Sequence, residues 1–273
     1  MSKQVEALPQ LADFKKLPED NIREFQEKGH TLVKQVLSEE EIDAYRPVIV
    51  GTADRYNTEK RELQDRDTYG KAFLQIMNLW QNDEDVKKFV LAKRMAKIAA
   101  DLMGVENVRL YHDQALFKEP GGGPTPWHQD QYYWPIDTNN TITMWMPLVD
   151  IDVDMGMLTF ASGSYTEGAV FNFEISDESE QAFDNYVKEH NFAISRAKTM
   201  KAGDATWHRG FTMHHANGNN SNKMREVMTI IYLADGARVT PYKNDWQKND
   251  HHKWLMGKPI GEVIDSEMNP KLL

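Results

Sequence analysis

The stretch Thr141-Ile142-Thr143-Met144-Trp145-Met146-Pro147-Leu148 alternates without a break. In an extended chain successive side chains point to opposite faces. Thr141, Thr143 and Trp145 therefore share one side, and Ile142, Met144, Met146 and Leu148 share the other. One face is wholly aliphatic and needs apolar cover; the other is polar and aromatic and suits the wall of a site. A strand of this kind belongs in a sheet with one buried side.

The surrounding pattern divides the chain. Short strands separated by Gly-, Asn- and Asp-rich turns are expected at 108–117, 141–149, 157–161, 203–207, 212–215 and 226–233. The first hundred residues read as mostly helical. One helix opens at Leu17-Pro18-Glu19-Asp20 and runs to Lys28, followed by a short strand at Thr31-Leu32-Val33. Ser38 and Glu41 form a capping box for a helix reaching Tyr56. One long helix is expected from Glu84 to Met103, with Gly104 as its stop. An acidic segment at 174–190 reads as a helical insert. Residues 1–16 read as a loosely held arm and 17–273 as one domain. The fold class is α+β, with helices buttressing a β sandwich or barrel.

Composition removes several chemistries. The chain has 273 residues, no cysteine and a net charge of −10. Disulfides, a thiol nucleophile, thiolate-held zinc and iron–sulfur clusters are excluded, so any metal must be held by His, Asp or Glu. The negative balance argues against nucleic acid or an anionic membrane as partner. With no apolar spanning run and no signal-peptide core, a soluble, cytoplasmic protein is expected.

Two clusters carry the candidate chemistry. The first is Pro126-Trp127-His128-Gln129-Asp130-Gln131-Tyr132-Tyr133-Trp134. His128 and Asp130 are two apart, so an extended chain points both the same way, within reach of one ion. Such a pair arises about once by chance in a chain with this much His and Asp, and needs context. The context is the second cluster, where His208, His214 and His215 fall within eight residues. Any one of them completes a two-His, one-carboxylate triad, which leaves three positions open on octahedral iron(II). A carboxylate-bearing cosubstrate and O2 suit those positions. Arg225, entering the next strand, supplies the bidentate cation that a second, distal carboxylate would need.

At these residues the chain resembles the phytanoyl-CoA dioxygenase family, which includes the ectoine hydroxylases. The resemblance runs from about Phe25 to Asp235. It rests on the Trp127-His128-Gln129-Asp130 core, on Gly156-Met157-Leu158 leading to Ser162-Gly163-Ser164, and on the tail from His214 through Asn219 and Ser221 to Arg225. It implies a double-stranded β-helix (jelly-roll) fold and an oxygenase using iron(II), 2-oxoglutarate and O2. The family spacing of the tail fits His214, whereas from His215 each offset is one short. The implied iron ligands are therefore His128, Asp130 and His214. His208 would stand behind them, and His215 would point away. Arg225 is implied as the clamp on the distal carboxylate of 2-oxoglutarate, with Gln114, Thr143 and Trp145 as further cosubstrate contacts and Gln75 as a weaker one.

Some positions depart from the family pattern. Ala216 stands where many members have Ser, leaving a hydroxyl contact to be replaced by Thr143 or water. Ala161 and Tyr165 replace the usual Pro and His. The retained carboxylate at Asp130 favours hydroxylation over halogenation. Plainer readings apply elsewhere: Met213, Met224 and Met228 as packing, Gly121-Gly122-Gly123 as a flexible turn, and Asp150, Asp152 and Asp154 as a solvated strand end. Tyr132, Tyr133 and Trp134 divide evenly between mouth and core. Gln131 falls on the face opposite Asp130 if the strand is straight. The expected substrate is a small or mid-sized metabolite, not a CoA thioester, because CoA is highly anionic and no Lys/Arg cluster accompanies the motifs. The competing readings are a non-oxidative metal enzyme on a cupin-like barrel, an isomerase or hydrolase with no need of Arg225, and a binding protein without turnover. The sequence leaves the oligomeric state open.

Overall fold

A computed structural model of the chain describes residues 7–13 and 16–273. The elements run α1 (Glu19–Lys28), β1 (His30–Val33), α2 (Glu39–Tyr56), α3 (Thr68–Ala72), β2 (Leu74–Met77), α4 (Glu84–Val90), α5 (Lys93–Met103), β3 (Val108–Phe117), β4 (Thr125–His128) and β5 (Thr141–Pro147). They continue with β6 (Ile151–Asp152), β7 (Leu158–Ser162), α6 (Asp177–Glu189), β8 (Ala193–Arg196), β9 (Thr199–Met200), β10 (Ala205–Arg209), β11 (His214–Ala216), β12 (Val227–Ala234) and α7 (Asp245–Lys253).

The alternating segment becomes β5, near the middle of a six-stranded sheet ordered β1-β10-β5-β12-β3-β2. A four-stranded sheet, β4-β11-β7-β8, faces it, and β6 and β9 form a small pair. All pairings are antiparallel. From β3 to β12 the strands pass back and forth between the two larger sheets, which is the winding of a double-stranded β-helix. The two faces of β5 do what their chemistry demands. Ile142, Met144, Met146 and Leu148 join Phe89, Met95 and Leu102 in the layer between sheet and helices. Trp145 joins Leu158, Phe160, Ala216 and Val227 between the sheets.

Three expectations are corrected. The helix expected over 84–103 is two helices. Ala92 is extended (φ −64°, ψ 129°) and breaks the run. The bend lets Val86 and Phe89 of α4 enter the same core as Met95 and Leu102 of α5, and the Arg94 N–H freed by the break donates to Leu11 O at 3.1 Å. Residues 1–6 and 14–15 of the expected arm lie outside the described residues, but 7–13 are docked rather than loose. Leu11 is buried, Tyr45 donates its hydroxyl to Pro9 O at 2.7 Å, and Arg94 pairs with Asp13. The glycines at 121–123 form a fixed turn: Gly121 N bonds Asn219 O and Gly123 N bonds Lys71 O. The Asp150–Asp154 stretch is structural, with Asp150 on Lys201 and Asp152 accepting from Asp154 N. Met213 and Met228 are packed in the interior.

Candidate active site

β4 and β11 run side by side with His214 directly opposite His128, and their ring centroids are 4.1 Å apart. Each Nδ1 meets the carbonyl oxygen two residues earlier, His128 on Pro126 at 2.8 Å and His214 on Thr212 at 2.9 Å. A carbonyl can only accept, so each Nδ1 carries the proton and each Nε2 presents a lone pair. After His128 the chain leaves the strand and enters a 3-10 turn at Asp130–Tyr133. Asp130 reaches back from this turn rather than from a straight strand, as the spacing alone had suggested. Its Oδ1 lies 3.4 Å from His128 Nε2 and 3.6 Å from His214 Nε2.

Three acceptors thus converge, with the candidate ligand atoms of His128, Asp130 and His214 all within 4.8 Å of one another. Two lone pairs facing a carboxylate repel unless a cation lies between them, so this donor set fits a metal ion. Burial, then the neighbouring His128 and His208, push His214 well below the ordinary histidine value, so it is a neutral ligand. Burial opposes the charge on Asp130, but the imidazoles around it hold its carboxyl well below the usual range. The other oxygen, Oδ2, is engaged by Thr143 Oγ1 at 2.9 Å and His208 Nε2 at 3.1 Å. These two donors turn Oδ1 toward the histidines. His215 points away and stacks on Trp127 at 4.1 Å.

A cavity of about 190 Å³ opens from this cluster. Arg225 stands in its wall, buried, with Nη1 donating to Gly156 O at 2.6 Å and Nε enclosed without a partner. Among the described residues no carboxylate pairs with it. Burial pushes its guanidinium down to about 9, and it lies 5.3 Å from the Trp145 ring centroid. A buried, uncompensated guanidinium fits a ligand carboxylate. Gly156 is required beside it: φ is +78°, and a Cβ there would lie 2.6 Å from Asn217 O. Gln114 lines the cavity at the end of a chain in which Tyr69 OH donates to Gln75 Oε1 (2.8 Å) and Gln75 Nε2 donates to Gln114 Oε1 (2.6 Å). Thr143 also lines the cavity, but its hydroxyl is engaged by Asp130 and so does not replace the one missing at Ala216.

The outer wall holds residues that the motifs did not single out. Tyr69, Phe73, His112, Trp246, Asp250 and Trp254 line it, together with the expected Tyr133 and Trp134. Tyr132 contributes its carbonyl, which accepts from Gln247 Nε2 of α7 at 2.8 Å. Gln131 is buried and accepts from Thr141 Oγ1 at 2.7 Å; the turn, not a straight strand, sets its direction. A period-two count along β3 links His112 to Gln114 and was the available signal for His112. The loops around 55–72 and 165–195 and the tail from Val239 are the segments expected to decide substrate identity, and Tyr69, Ile175, Trp246 and Trp254 from them line the cavity; no local pattern marked α7 itself.

Over residues 25–227 the chain matches the family model of phytanoyl-CoA dioxygenase (PhyH). A curated relative, a "Probable alpha-ketoglutarate-dependent hypophosphite dioxygenase" of Stutzerimonas stutzeri, is 24% identical over 228 residues, covering 79% of this chain and 78% of the relative. Among solved structures, the non-heme alpha ketoglutarate dependent carbocyclase SnoK from nogalamycin biosynthesis superposes with a TM-score of 0.77 at 23% identity, covering 94% of this chain and 97% of that one. The epimerase SnoN, in complex with Fe3+, alpha ketoglutarate and nogalamycin RO, gives 0.76 at 21% identity, covering 93% and 98%.

Proposed function

The chain belongs to the phytanoyl-CoA dioxygenase family and is a 2-oxoglutarate-dependent dioxygenase; from that premise we propose that it hydroxylates an unactivated C–H bond of a small or mid-sized metabolite. In this reading His128, Asp130 and His214 hold iron(II). Arg225 takes the distal carboxylate of 2-oxoglutarate, with Gln114 and Trp145 beside it. The bound iron, 2-oxoglutarate and O2 supply the oxidising chemistry, with succinate and CO2 as coproducts. The chain's own part is to hold and orient. Thr143 and His208 fix the Asp130 carboxylate, the two backbone carbonyls fix the imidazoles, and the aromatic outer wall excludes water and positions the substrate. No side-chain acid or base is required.

One observation carries the reading. Three convergent acceptors at one end of a cavity and an uncompensated buried guanidinium in its wall are what a metal chelated by a dianionic keto acid needs. The net charge of −10 supports a free metabolite over a CoA thioester, nucleic acid or membrane surface. We take 17–273 as one catalytic unit in the cytoplasm.

The test is anaerobic titration of the metal-free protein with iron(II) and then 2-oxoglutarate. A visible charge-transfer band that needs both is expected, followed by succinate release in air. Iron binding without the band or succinate would favour the non-oxidative cupin-type enzyme. No iron binding would overturn the ligand set.

A further inference from the structure

Lys118 follows β3 and is fully buried. Its backbone pairs with that of Arg225 in both directions, N–H to carbonyl at 2.9 Å each way. Gly156 packs against both side chains: a Cβ there would lie 3.1 Å from Lys118 Cδ and 3.3 Å from Arg225 Nη1. Lys118 Nζ donates to Gly123 O and, at 3.4 Å, to Thr125 Oγ1. Both acceptors are neutral. Among the described residues no carboxylate forms an ion pair with Lys118. The adjacent Glu119 is held by Arg66, and the charge that acts on Lys118 is the like charge of Arg225.

This arrangement suits an amine better than an ammonium. A neutral amine has two N–H bonds, and the two acceptors use both. An ammonium has a third, with a buried cation beside it and no anion in reach. Burial, then Arg225, push the Lys118 amine down to about 6. The anion that would reverse this balance is the carboxylate that Arg225 is proposed to hold.

We propose that Lys118 is neutral while Arg225 stands alone, and takes up a proton from solvent when the distal carboxylate of 2-oxoglutarate docks there. The proposal rests on the reading of Arg225 as the carboxylate clamp. One N–H bond forms on Nζ and the buffer loses one proton; nothing else is transferred. Lys118 is thus a positioning residue that adds charge to the carboxylate site only when the cosubstrate is present. Because binding consumes a proton, cosubstrate affinity falls as pH rises through the window between the free and bound values, by at most about tenfold per pH unit.

Isothermal calorimetry tests this on the anaerobic iron(II)-loaded protein, titrated with 2-oxoglutarate at about pH 7.5 in buffers of different ionisation enthalpy. The expected heat varies with the buffer and reports uptake of roughly half to one proton. Lys118→Met should bind 2-oxoglutarate at least about tenfold more weakly, with no buffer dependence. Lys118→Arg, permanently charged, should bind it without proton uptake and serves where the methionine variant does not fold. Native binding with no buffer dependence overturns the proposal, as does full uptake in either variant. No binding of 2-oxoglutarate at all overturns the Arg225 reading itself, so the two failures are distinct.

Discussion

Asp130 presents its two oxygens to different partners, and Thr143 and His208 determine which one faces the histidines. Thr143→Val keeps the shape and removes one of those donors. Iron(II) affinity should fall roughly 10–100-fold with all three ligands intact, as measured by anaerobic metal titration; unchanged affinity would mean that Thr143 does not orient the carboxylate. Arg225→Met removes a buried cation with no protein counter-ion. The KM for 2-oxoglutarate should rise roughly 30-fold or more, from a loss of about 2–5 kcal/mol, while iron binding is retained. Much of this chemistry was legible in the sequence because it is local: His214 and Arg225 are read from one tail, His128 and Asp130 from one core. Nothing in the sequence gave Lys118 a role. Its burial and its neighbour Arg225 are products of packing, which no local pattern carries. The same holds for the hydroxyl of Thr143, whose face the alternation gave but whose partner it did not.

At the scale of elements, α2 begins with the capping box read from the sequence, Ser38 accepting from Glu41 N and Glu41 accepting from Ser38 N. Glu41 also accepts from the buried Arg94, so the two ends of the box carry unequal weight. Ser38→Ala should cost about 1 kcal/mol, and Glu41→Ala about 3 kcal/mol or more because Arg94 loses a buried partner. Urea unfolding of both variants checks this, and equal losses would contradict it. Caps are legible because they are spelled within four residues. The break between α4 and α5 was not, because no Gly or Pro marks it; the N-terminal segment and the shared core impose it. β10 and β11 begin two residues later than expected, the extended segment expected around His128 and Asp130 ends at His128 as β4, and β2, β6, β8 and β9 were not expected at all. These four missed strands have four residues or fewer, too few for periodicity to declare them.

For the whole molecule, acid sensitivity follows from what is buried. Burial pushes His30, His112 and His215 down to about 4 and His214 well below its ordinary value. A depressed histidine binds protons better unfolded than folded, so its contribution is lost as pH falls from about 6.5 toward 4. Asp113 and Asp250 are pushed up to about 7 by burial, and their contribution grows as pH falls through the same window. Four imidazoles outweigh two carboxyls. The Tm of the metal-free protein should therefore drop on acidification below about pH 6.5, and Asp113→Asn should steepen the drop. A flat profile, or one unchanged by that substitution, would refute this balance. The fold class was legible at this scale because one alternating strand declares a two-faced sheet. The part α7 plays in the cavity's outer wall was not, because the helix reaches it by docking on Tyr132, Tyr111, Tyr133 and Glu174 from distant parts of the chain.

That docking has a consequence for descent. The proposed metal and cosubstrate residues all come from the sheets and the turns between them, whereas Trp246, Asp250 and Trp254 arrive on a late helix and the residue after it, far along the chain from the core motif. A lineage can therefore rewrite α7 and change what its members consume while the oxidising machinery is inherited intact. Hybrids that exchange 240–273 between two relatives should adopt the appetite of the donor and the cosubstrate constants of the host.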